Sequence, residues 1–398
     1  MRAHKLRSFL TLLGVVIGVA SVVVVGAAIE GLGVTASRAT AQAFGTETYL
    51  VAQLASPGRL SRREVFEKLR KNKQIRIDDV DYLRMATGDQ ILYSIYLQRA
   101  EDVKRDDQTF EGAIVIGVSA VLSEIRDVAI IDGRFFTEQE ERTRQLVCVI
   151  GDDIRSALFE GSSPLGKHIK LRGYDFTIVG VQDRLGSNFG RSQDNSVYIP
   201  APVYQRLFGY PRTLSVFGRP RPETGLSLEE GLDITRAALR TRFKAKPGQE
   251  DPFEVLTPDS IRSFVDNILG LISLVVVPVT LISLIIGGIV IMNIMLVSVT
   301  ERTREIGIRK SLGANRDDIL LQFLLESLLV SAAGGLLGLS LAWVLCESLV
   351  RTFRADLAIT TPYVFLAIFV STGVGIISGW YPARRAASLD PVEALRAE

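Results

Sequence analysis

The sequence predicts an integral membrane α-helical protein with four transmembrane helices and a large α+β extracytoplasmic domain inserted between helices 1 and 2. The first observation is four runs without a charged residue, at 9–29, 268–300, 327–346 and 362–380. Runs of about 20 apolar residues are long enough to cross a bilayer core of about 30 Å. The second observation is that short β-rich and polar helical stretches alternate between the first two runs, which is typical of an α+β domain. The third is an excess of Lys and Arg beside the runs, which indicates the cytoplasmic side.

Composition excludes several classes of function. The 398 residues carry a net charge of +2, so no strongly basic surface for nucleic acid is expected. The two cysteines, Cys148 and Cys346, fall in different segments, which argues against a disulfide framework. The two histidines, His4 and His168, are too far apart in the sequence for an HExxH zinc site, and so few histidines argue against a histidine-dependent triad. We therefore expect no catalytic residue, no metal site and no cofactor on this chain.

Residues 1–30 are predicted to form the cytoplasmic N-terminus and transmembrane helix 1. The run at 9–29 follows three basic residues, Arg2, Lys5 and Arg7. A cleaved signal peptide is the alternative, because Ala-Thr-Ala at 39–41 resembles a cleavage site, but signal peptides have apolar regions of only about 7–15 residues. Gly14 and Gly18 have the GxxxG spacing that is typical of a helix-packing face in a membrane.

Residues 31–260 are predicted to form the extracytoplasmic domain, with enough chain for two subdomains. Period-2 and β-branched patterns predict strands at 48–53, 91–97, 113–118, 146–150, 176–181, 196–199 and 253–256. Helical periodicity predicts helices at 62–70, 78–87, 152–159, 202–207 and 228–243. The turn-rich stretch 218–225 is predicted to be a linker or an exposed loop.

Residues 261–300 are predicted to form a long stalk and transmembrane helix 2. A helix over 268–300 would be about 50 Å long, whereas the bilayer core is about 30 Å thick. Pro258 can open this helix with Thr257 as its cap, so the helix should project beyond the bilayer and join the outer domain rigidly. Pro278 is expected to kink or break it.

The charged segment 301–318, ERTREIGIRKSLGANRDD, is predicted to contain a short helix lying across the cytoplasmic mouth of the membrane. Glu305 and Arg309 are spaced i,i+4 in the favourable orientation. Gly313 can end this helix, and Asn315 can cap the next one with Asp318 at its third position. The segment contains five basic residues: Arg302, Arg304, Arg309, Lys310 and Arg316. Such a helix is polar enough to dock on a soluble partner, and an ordinary solvated turn is the alternative.

The remaining segments are predicted to be transmembrane helix 3 at 319–350, a short outer loop at 351–361, transmembrane helix 4 at 362–380 and a cytoplasmic tail at 381–398. Glu326 and Glu347 lie near the two ends of helix 3 and can reach the interface, although a buried functional carboxylate is the alternative. Arg384, Arg385 and Arg396 favour a cytoplasmic tail. In that tail, Asp-Pro-Val-Glu at 390–393 is typical of a capped helix start.

One motif resembles a nucleotide site. Residues 161–168, GSSPLGKH, match the GxxxxGK spacing of a phosphate-binding loop. However, His168 replaces the hydroxyl residue that would ligate Mg²⁺, and Pro164 removes an amide donor. The motif also follows a predicted helix and precedes a predicted strand, which is the reverse of the phosphate-binding order. A turn that joins a helix to a hairpin is the better interpretation.

Several stretches, in the same order along the chain, resemble the MacB/FtsX-like family of ABC-transporter permeases, and MacB-type exporters in particular. They are HKLRSFLTLLGVVIGVASVVVV at the first run, GVSAVLSEIRDVAIIDGRFFTEQE, VCVIGDDI and LFEGSSPLGKHIKLRGYDFTIVGV in the domain, ERTREIGIRKSLGA after the second run and YPARRAASLDPVEALR in the tail. The resemblance covers both ends and much of the middle, and it is weakest over 57–76 and 211–225.

The resemblance implies a multi-pass protein of the inner membrane that works by mechanotransmission. A cytoplasmic ABC ATPase, expected on a separate subunit that binds ATP and Mg²⁺, drives a dimer of two identical or similar permeases. The long second helix passes the movement to the periplasmic domain, whose distal part is implied at about 100–210. A periplasmic adaptor protein and an outer-membrane duct are further expected partners.

The resemblance also places the ATPase contact on the loop and the tail. The expected contact residues are Glu301, Arg302, Glu305, Ile306, Gly307, Arg309, Lys310, Leu312, Gly313, Ala314, Arg384 and Arg385. The predicted function is efflux of a drug, a peptide or another periplasmic substrate. The alternatives are an FtsX-like transmembrane signal relay that activates a cell-wall hydrolase, and a lipoprotein-extracting permease.

Overall fold

The structure, a computed structural model, describes residues 2–45, 47–58, 60–188, 191–353, 360–391 and 394. The chain forms two compact units. The helical unit comprises Met1–Thr35 and Asp266–Glu398, and the sheet unit comprises Ala36–Val265. Some residues that entered the sequence predictions lie outside the described residues: 354–359 of the predicted outer loop, the pair Val392 and Glu393, and Arg396.

The secondary structure contains helices and strands with the following bounds. The α-helices are α1 (Arg2–Phe44), α2 (Arg62–Lys71), α3 (Ile77–Thr87), α4 (Leu122–Ile125), α5 (Glu138–Arg142), α6 (Asp152–Phe159), α7 (Ala201–Phe208), α8 (Leu228–Arg242), α9 (Pro258–Glu301), α10 (Thr303–Ser311), α11 (Arg316–Phe353) and α12 (Thr361–Ser388). The strands are β1 (Tyr49–Ala52), β2 (Ile91–Arg105), β3 (Gln108–Val118), β4 (Ile130–Gly133), β5 (Val147–Ile150), β6 (His168–Leu171), β7 (Tyr174–Gln182), β8 (Ser187–Asn188), β9 (Arg191–Ser192), β10 (Ser196–Pro200), β11 (Ser215–Pro220) and β12 (Glu254–Leu256).

Four helices are long and apolar enough to cross a membrane, judged by length and composition over the residues that the structure describes. They are Leu13–Arg38 within α1, α9, Arg316–Arg351 within α11, and α12. The helix α1 continues to Phe44, well beyond its predicted end near residue 30, because no proline interrupts it. The helix α9 is continuous through Pro278, so the expected break is wrong, whereas the expected kink stays a prediction. The helix α12 likewise extends into the predicted tail.

The four long helices approach one another closely where glycines face a neighbour. A Cβ atom added to Gly14 would lie 3.2 Å from the Cα atom of Gly287 in α9, and Gly18 lies against the same helix. A Cβ atom on Gly338 of α11 would lie 2.9 Å from the carbonyl oxygen of Val16 in α1. The GxxxG spacing in α1 therefore marks a packing face within the helical unit, where small residues let two backbones meet.

Serine and glycine interlock α11 with α12. Gly379 lies against the hydroxyl of Ser327, and Gly375 lies against the hydroxyl of Ser331, so a Cβ atom at either glycine would overlap that oxygen. Both hydroxyls donate to carbonyl oxygens three residues earlier in α11, at 2.8 and 2.9 Å. Because the hydroxyls are satisfied within their own helix, they can be buried in an apolar interior at little cost.

The sheet unit is built on one mixed sheet of ten strands, nine of which follow the order β12-β1-β11-β2-β3-β10-β5-β7-β4. The strand β6 pairs with both β2 and β7, so six strands close a ring: β2, β3, β10, β5, β7 and β6. The strand β2 can pair both with β11, outside the ring, and with β6, inside the ring. It can do so because it is 15 residues long and shifts register between Glu101 and Val103. Its first half pairs with β11 and its last residues pair with β6.

Both ends of the sheet unit meet at one edge of this sheet. The strands β1 and β12 pair antiparallel, with Leu50 opposite Leu256. From β12 the chain enters α9 through Thr257, whose Oγ1 accepts a hydrogen bond from the Ser260 amide at 3.1 Å, so the predicted cap is present. Because one sheet runs through the whole unit, the division into two subdomains stays a prediction.

The stretch 218–225 was predicted to be a linker or an exposed loop, but only part of it is irregular. Its first residues, Gly218 to Pro220, end the strand β11, which lies inside the sheet between β1 and β2. Gly218 is required there because a Cβ atom would overlap the ring of Tyr49. Gly and Pro usually mark turns, but here a glycine makes room for a buried aromatic ring.

Candidate functional site

The helix α10 is a separate short helix between α9 and α11. It begins after Arg302, whose backbone leaves the helical region at φ −103° and ψ 14°. It ends at Ser311, Leu312 is its C-cap, and Gly313 follows with φ +102°, a conformation that favours glycine. The Asn315 amide then donates to the Asp318 carboxylate at 3.0 Å, as the predicted start of the next helix requires. The local sequence thus dictates the C-terminal end of α10 and the start of α11.

One side of α10 packs into the helical unit. Ile306 is only 1% exposed and belongs to the apolar cluster that also contains Phe323 of α11 and Ala383 of α12. Gly307, the next residue, is buried as well. The burial of Ile306 contributes about 1.5–3 kcal/mol to holding the helix in place.

Two arginines tie α10 to the first turns of α11. The Arg302 Nη1 atom donates to both carboxylate oxygens of Glu326, each at 3.2 Å. The Arg309 Nη1 atom donates to Gln322 Oε1 at 2.7 Å, and its Nη2 atom donates to Glu305 Oε1 at 2.6 Å. The predicted i,i+4 pair of Glu305 and Arg309 is therefore present. The partnership of Glu326 with Arg302 explains why a glutamate lies at this end of an apolar helix.

Lys310 ties α10 to the end of α12. Its Nζ atom donates to the carbonyl oxygen of Ala387 at 2.6 Å and to that of Leu389 at 2.8 Å. Burial lowers the pKa of Lys310 below its ordinary value; nearby Arg316 lowers it further, and Asp390 opposes the shift.

The opposite side of α10 is uncovered among the described residues. We call Arg304, Glu305, Ile308 and Leu312 the outer face of α10, because their spacing puts them on one side of the helix. Ile308 is 44% exposed and Leu312 is 83% exposed. Two apolar side chains beside an arginine and a glutamate make a surface that can bind a protein through both apolar and charged contacts.

The structure distributes the residues predicted for the ATPase contact over different environments. Seven of them are exposed: Glu301, Arg302, Glu305, Leu312, Gly313, Arg384 and Arg385. Arg309, Lys310 and Ala314 are half-buried, whereas Ile306 and Gly307 are buried and support the helix from beneath. The assignment of these residues to an ATPase contact stays a prediction. The sequence-based set lacked Arg304 and Ile308 of the outer face, although the helical spacing of Ile308 and Leu312 was a signal for them.

The motif at 161–168 has the geometry of a turn. It follows the helix α6 and leads into the strand β6, which is the opposite order from a phosphate-binding loop. The Lys167 Nζ atom donates to Ser162 Oγ at 2.8 Å and lies 5.7 Å from the centre of the Phe159 ring. The lysine therefore closes its own turn.

The sequence matches the models of two protein families. One is the MacB-like periplasmic core domain, over residues 8–241, and the other is the FtsX-like permease C-terminal region, over residues 278–391. The chain belongs to the MacB/FtsX-like permease family.

Individual relatives agree with this family. The chain is 34% identical over 401 residues to the macrolide export ATP-binding/permease protein MacB of Bdellovibrio bacteriovorus, covering 100% of this chain and 60% of that protein. It is 34% identical over 400 residues to the MacB protein of Neisseria gonorrhoeae, covering 99% of this chain and 59% of that protein. The chain thus spans about 60% of the length of these relatives. The crystal structure of the periplasmic region of MacB from Actinobacillus actinomycetemcomitans matches 57% of this chain and 96% of its own, with a TM-score of 0.45 and 16% identity.

Proposed function

We propose that this chain is the permease subunit of an ABC-type exporter that works by mechanotransmission. Its four apolar helices cross the inner membrane, the sheet unit lies in the periplasm, and α10 and the end of α12 face the cytoplasm. A separate ATPase subunit binds ATP and Mg²⁺, and this chain carries no cofactor of its own. The positive charges of Arg304 in α10, of Arg316 at the start of α11, and of Arg384 and Arg385 in α12 support this orientation.

The outer face of α10 is the observation that carries the proposal. Leu312 at 83% exposure and Ile308 at 44% are apolar residues that lie next to the charged Arg304 and Glu305. The opposite side of the same helix is fixed by burial of Ile306 and by the hydrogen bonds of α10 to α11 and α12. Because α10 is held rigidly and has a mixed apolar and charged outer face, a soluble protein can bind this face and displace the helix.

The helix α9 supports the transmission step. It is one helix of 44 residues that begins at the edge of the sheet unit and ends at the start of α10. At about 1.5 Å per residue it is about 66 Å long, which exceeds a bilayer core of about 30 Å. A continuous helix of this length can carry movement from the cytoplasmic side to the sheet unit.

The relatives support export as the direction of transport. The matching proteins of Bdellovibrio bacteriovorus and Neisseria gonorrhoeae are described as macrolide export proteins. For this chain we propose a drug, a peptide or another periplasmic substrate, which the periplasmic domains of a permease dimer expel. The second permease is an identical or similar chain, and a periplasmic adaptor and an outer-membrane duct complete the path.

A charge exchange tests the ATPase contact. In the double variant Glu305→Lys/Arg309→Glu the two side chains can still pair with each other, and Gln322 can donate to the new glutamate. The pair inside α10 is therefore kept while the charge at position 305 on the outer face is reversed. We expect each single variant and the double variant to reduce co-purification of the co-expressed ATPase and its stimulated ATP turnover. Full recovery in the double variant would mean that the pair acts only within α10, and the proposal would be wrong.

A second pair of variants removes the apolar contact. Ile308→Asp and Leu312→Asp should abolish co-purification of the ATPase without unfolding the permease, because both side chains are exposed. Ile131→Asp is the matched control, since Ile131 is 67% exposed in the strand β4 of the sheet unit. Equal ATPase binding by all three variants would contradict the assignment of α10.

A further inference from the structure

The helix α2 differs from an ordinary surface helix in having no buried residue. Its two large apolar side chains are both uncovered, Phe66 with 69% and Leu69 with 43% of its surface exposed. It lies within 57–76, one of the stretches in which the sequence least resembles the permease family. The contacts of α2 in this chain therefore indicate its role better than the family resemblance does.

Polar contacts on one side fix the orientation of α2. The Gln53 Nε2 atom donates to the carbonyl oxygen of Leu69 at 3.2 Å. Lys68 forms an ion pair with Glu254 at 3.0 Å, and the Asn72 side chain at the end of the helix also donates to Glu254, at 3.1 Å. These contacts hold α2 on the strands β1 and β12 and turn Phe66 away from the sheet.

The outward side of α2 combines apolar and basic residues. Arg62, Phe66, Leu69 and Arg70 are exposed and spaced i, i+4, i+7 and i+8, so they lie on one face. The acidic residues of the helix are engaged elsewhere: the Ser61 amide donates to Glu64 at 2.7 Å, and Arg63 pairs with Glu67 at 2.9 Å.

This face is positively charged. In the described part of the chain, neither Arg62 nor Arg70 has a carboxylate within ion-pair distance, whereas Lys71 pairs with Glu250. Two uncompensated guanidinium groups beside an exposed phenylalanine are the composition of helices that lie in a membrane interface.

The loop before α2 locates the helix along α9. Gly58 lies directly against the ring of Phe264 in the second turn of α9. The uncharged run of α9 begins at Ile268, one helical turn or about 6 Å further along. The interfacial layer on each side of a bilayer core is of the same order, about 5–8 Å. The start of α2 is thus at the level where headgroups would surround α9.

We propose that α2 is an interfacial anchor that binds anionic phospholipids of the membrane that α9 enters. Phe66 and Leu69 lie in the boundary between headgroups and acyl chains, and Arg62 and Arg70 bind lipid phosphates. This inference rests on the proposed membrane insertion of α9. The anchor holds the start of α2 at the membrane surface.

A fluorescent probe tests the anchor in the full chain. Single cysteines are introduced as Phe66→Cys, Glu67→Cys and Leu274→Cys in a Cys148→Ala/Cys346→Ala background and labelled with an environment-sensitive dye. The labelled proteins are reconstituted into vesicles of phosphatidylglycerol or phosphatidylcholine that contain a lipid-attached quencher. We expect quenching of the probe at 66 in phosphatidylglycerol, little quenching at 67, and loss of the effect at 66 in the Arg62→Gln/Arg70→Gln variant.

The other outcomes are equally decisive. A probe at 66 that lipid does not quench, while the probe at 274 is quenched, overturns the anchor and leaves the membrane insertion of α9 intact. Quenching at 66 that is equal in phosphatidylcholine and in the arginine variant overturns the binding of anionic headgroups. A probe at 66 shielded by another protein chain without lipid quenching overturns the lipid assignment. Failure of lipid to quench the probe at 274 overturns the proposed insertion itself.

Discussion

The Nζ atom of Lys310 lies 2.6 Å from the carbonyl oxygen of Ala387, so the short helix α10 is tied to the last turn of α12. The last carbonyls of a helix have no partner within it, and a cation is favourable at that end. The tie gives α10 a connection to α12 in addition to its covalent connections to α9 and α11. A displacement of α10 would therefore reach α12 directly.

Replacing Lys310 with Met should loosen this tie without removing the outer face of α10. A hydrogen bond from a charged group contributes about 1.5–3 kcal/mol, so local opening around residues 387–389 should become about 10–100 times more frequent. Hydrogen–deuterium exchange of the full chain in detergent measures this change. The ATPase should still co-purify, but its stimulation should fall. Arg316→Gln is the control, and unchanged exchange in Lys310→Met would contradict the structural role of the tie.

The pair of Arg302 and Glu326 allows a charge exchange between α10 and α11. Both side chains are partly exposed, so the pair should contribute only about 0.2–1 kcal/mol. Arg302→Glu alone places two carboxylates together and should lower the thermal midpoint in detergent, and adding Glu326→Arg should restore it. If Arg302 also contacts the ATPase, the double variant will recover stability but not ATPase stimulation. Recovery of both would limit Arg302 to a structural role.

The contact of Gly375 with Ser331 predicts a compensating pair of substitutions. Gly375→Ala should destabilise the packing of α11 on α12 by about 1–3 kcal/mol, because its Cβ atom overlaps the serine hydroxyl. Adding Ser331→Gly removes the overlapping side chain and should recover most of the loss. Gly373→Ala is the matched control, since a Cβ atom there meets nothing within 4 Å. Thermal unfolding of the detergent-solubilised protein distinguishes the three variants, and equal midpoints would refute the interlock.

Glu140 predicts a pH-dependent contribution to the stability of the sheet unit. The hydrogen-bonded guanidinium of Arg134 lowers the pKa of Glu140 to about 2, against partial desolvation, and the Thr137 amide adds to the lowering. Since the pKa is about 4.3 in an unfolded chain, the stabilisation is complete above that pH and is lost as the pH falls towards 2. Solvent screens the half-exposed Arg134, so the pair of Arg134 and Glu140 contributes only about 1 kcal/mol to the free energy of unfolding.

Glu140→Gln keeps the helix cap but removes the charge. It should lower the thermal midpoint by about 2–4 °C at pH 7, and the difference from the parent protein should shrink between pH 5 and pH 3. The control is Glu138→Gln, whose partner Arg142 is 80% exposed, and which should change little at any of these pH values. A difference for Glu140→Gln that does not depend on pH would rule out the charge as its cause.

Helix ends were the most predictable part of the candidate site. The stop at Gly313, the cap formed by Asn315 and Asp318, and the pair of Glu305 with Arg309 involve residues three or four positions apart. Such contacts depend on local backbone geometry alone. The cap of α9 at Thr257 was predictable for the same reason. Where the sequence failed, as at the strand that contains Gly218, the outcome depended on Tyr49, a neighbour that is distant in sequence.

The sequence by itself determined four apolar helices, a segment of mixed helices and strands, and the position and C-terminal end of α10, because hydrophobic runs and helix-ending residues act over short distances. Only the tertiary structure decided which side of α10 is uncovered, since that depends on the burial of Ile306 and on the hydrogen bond from Lys310 to a carbonyl 77 residues away. The closed ring of six strands is likewise a tertiary result, because β6 selects its two partners from strands that are far apart in the chain.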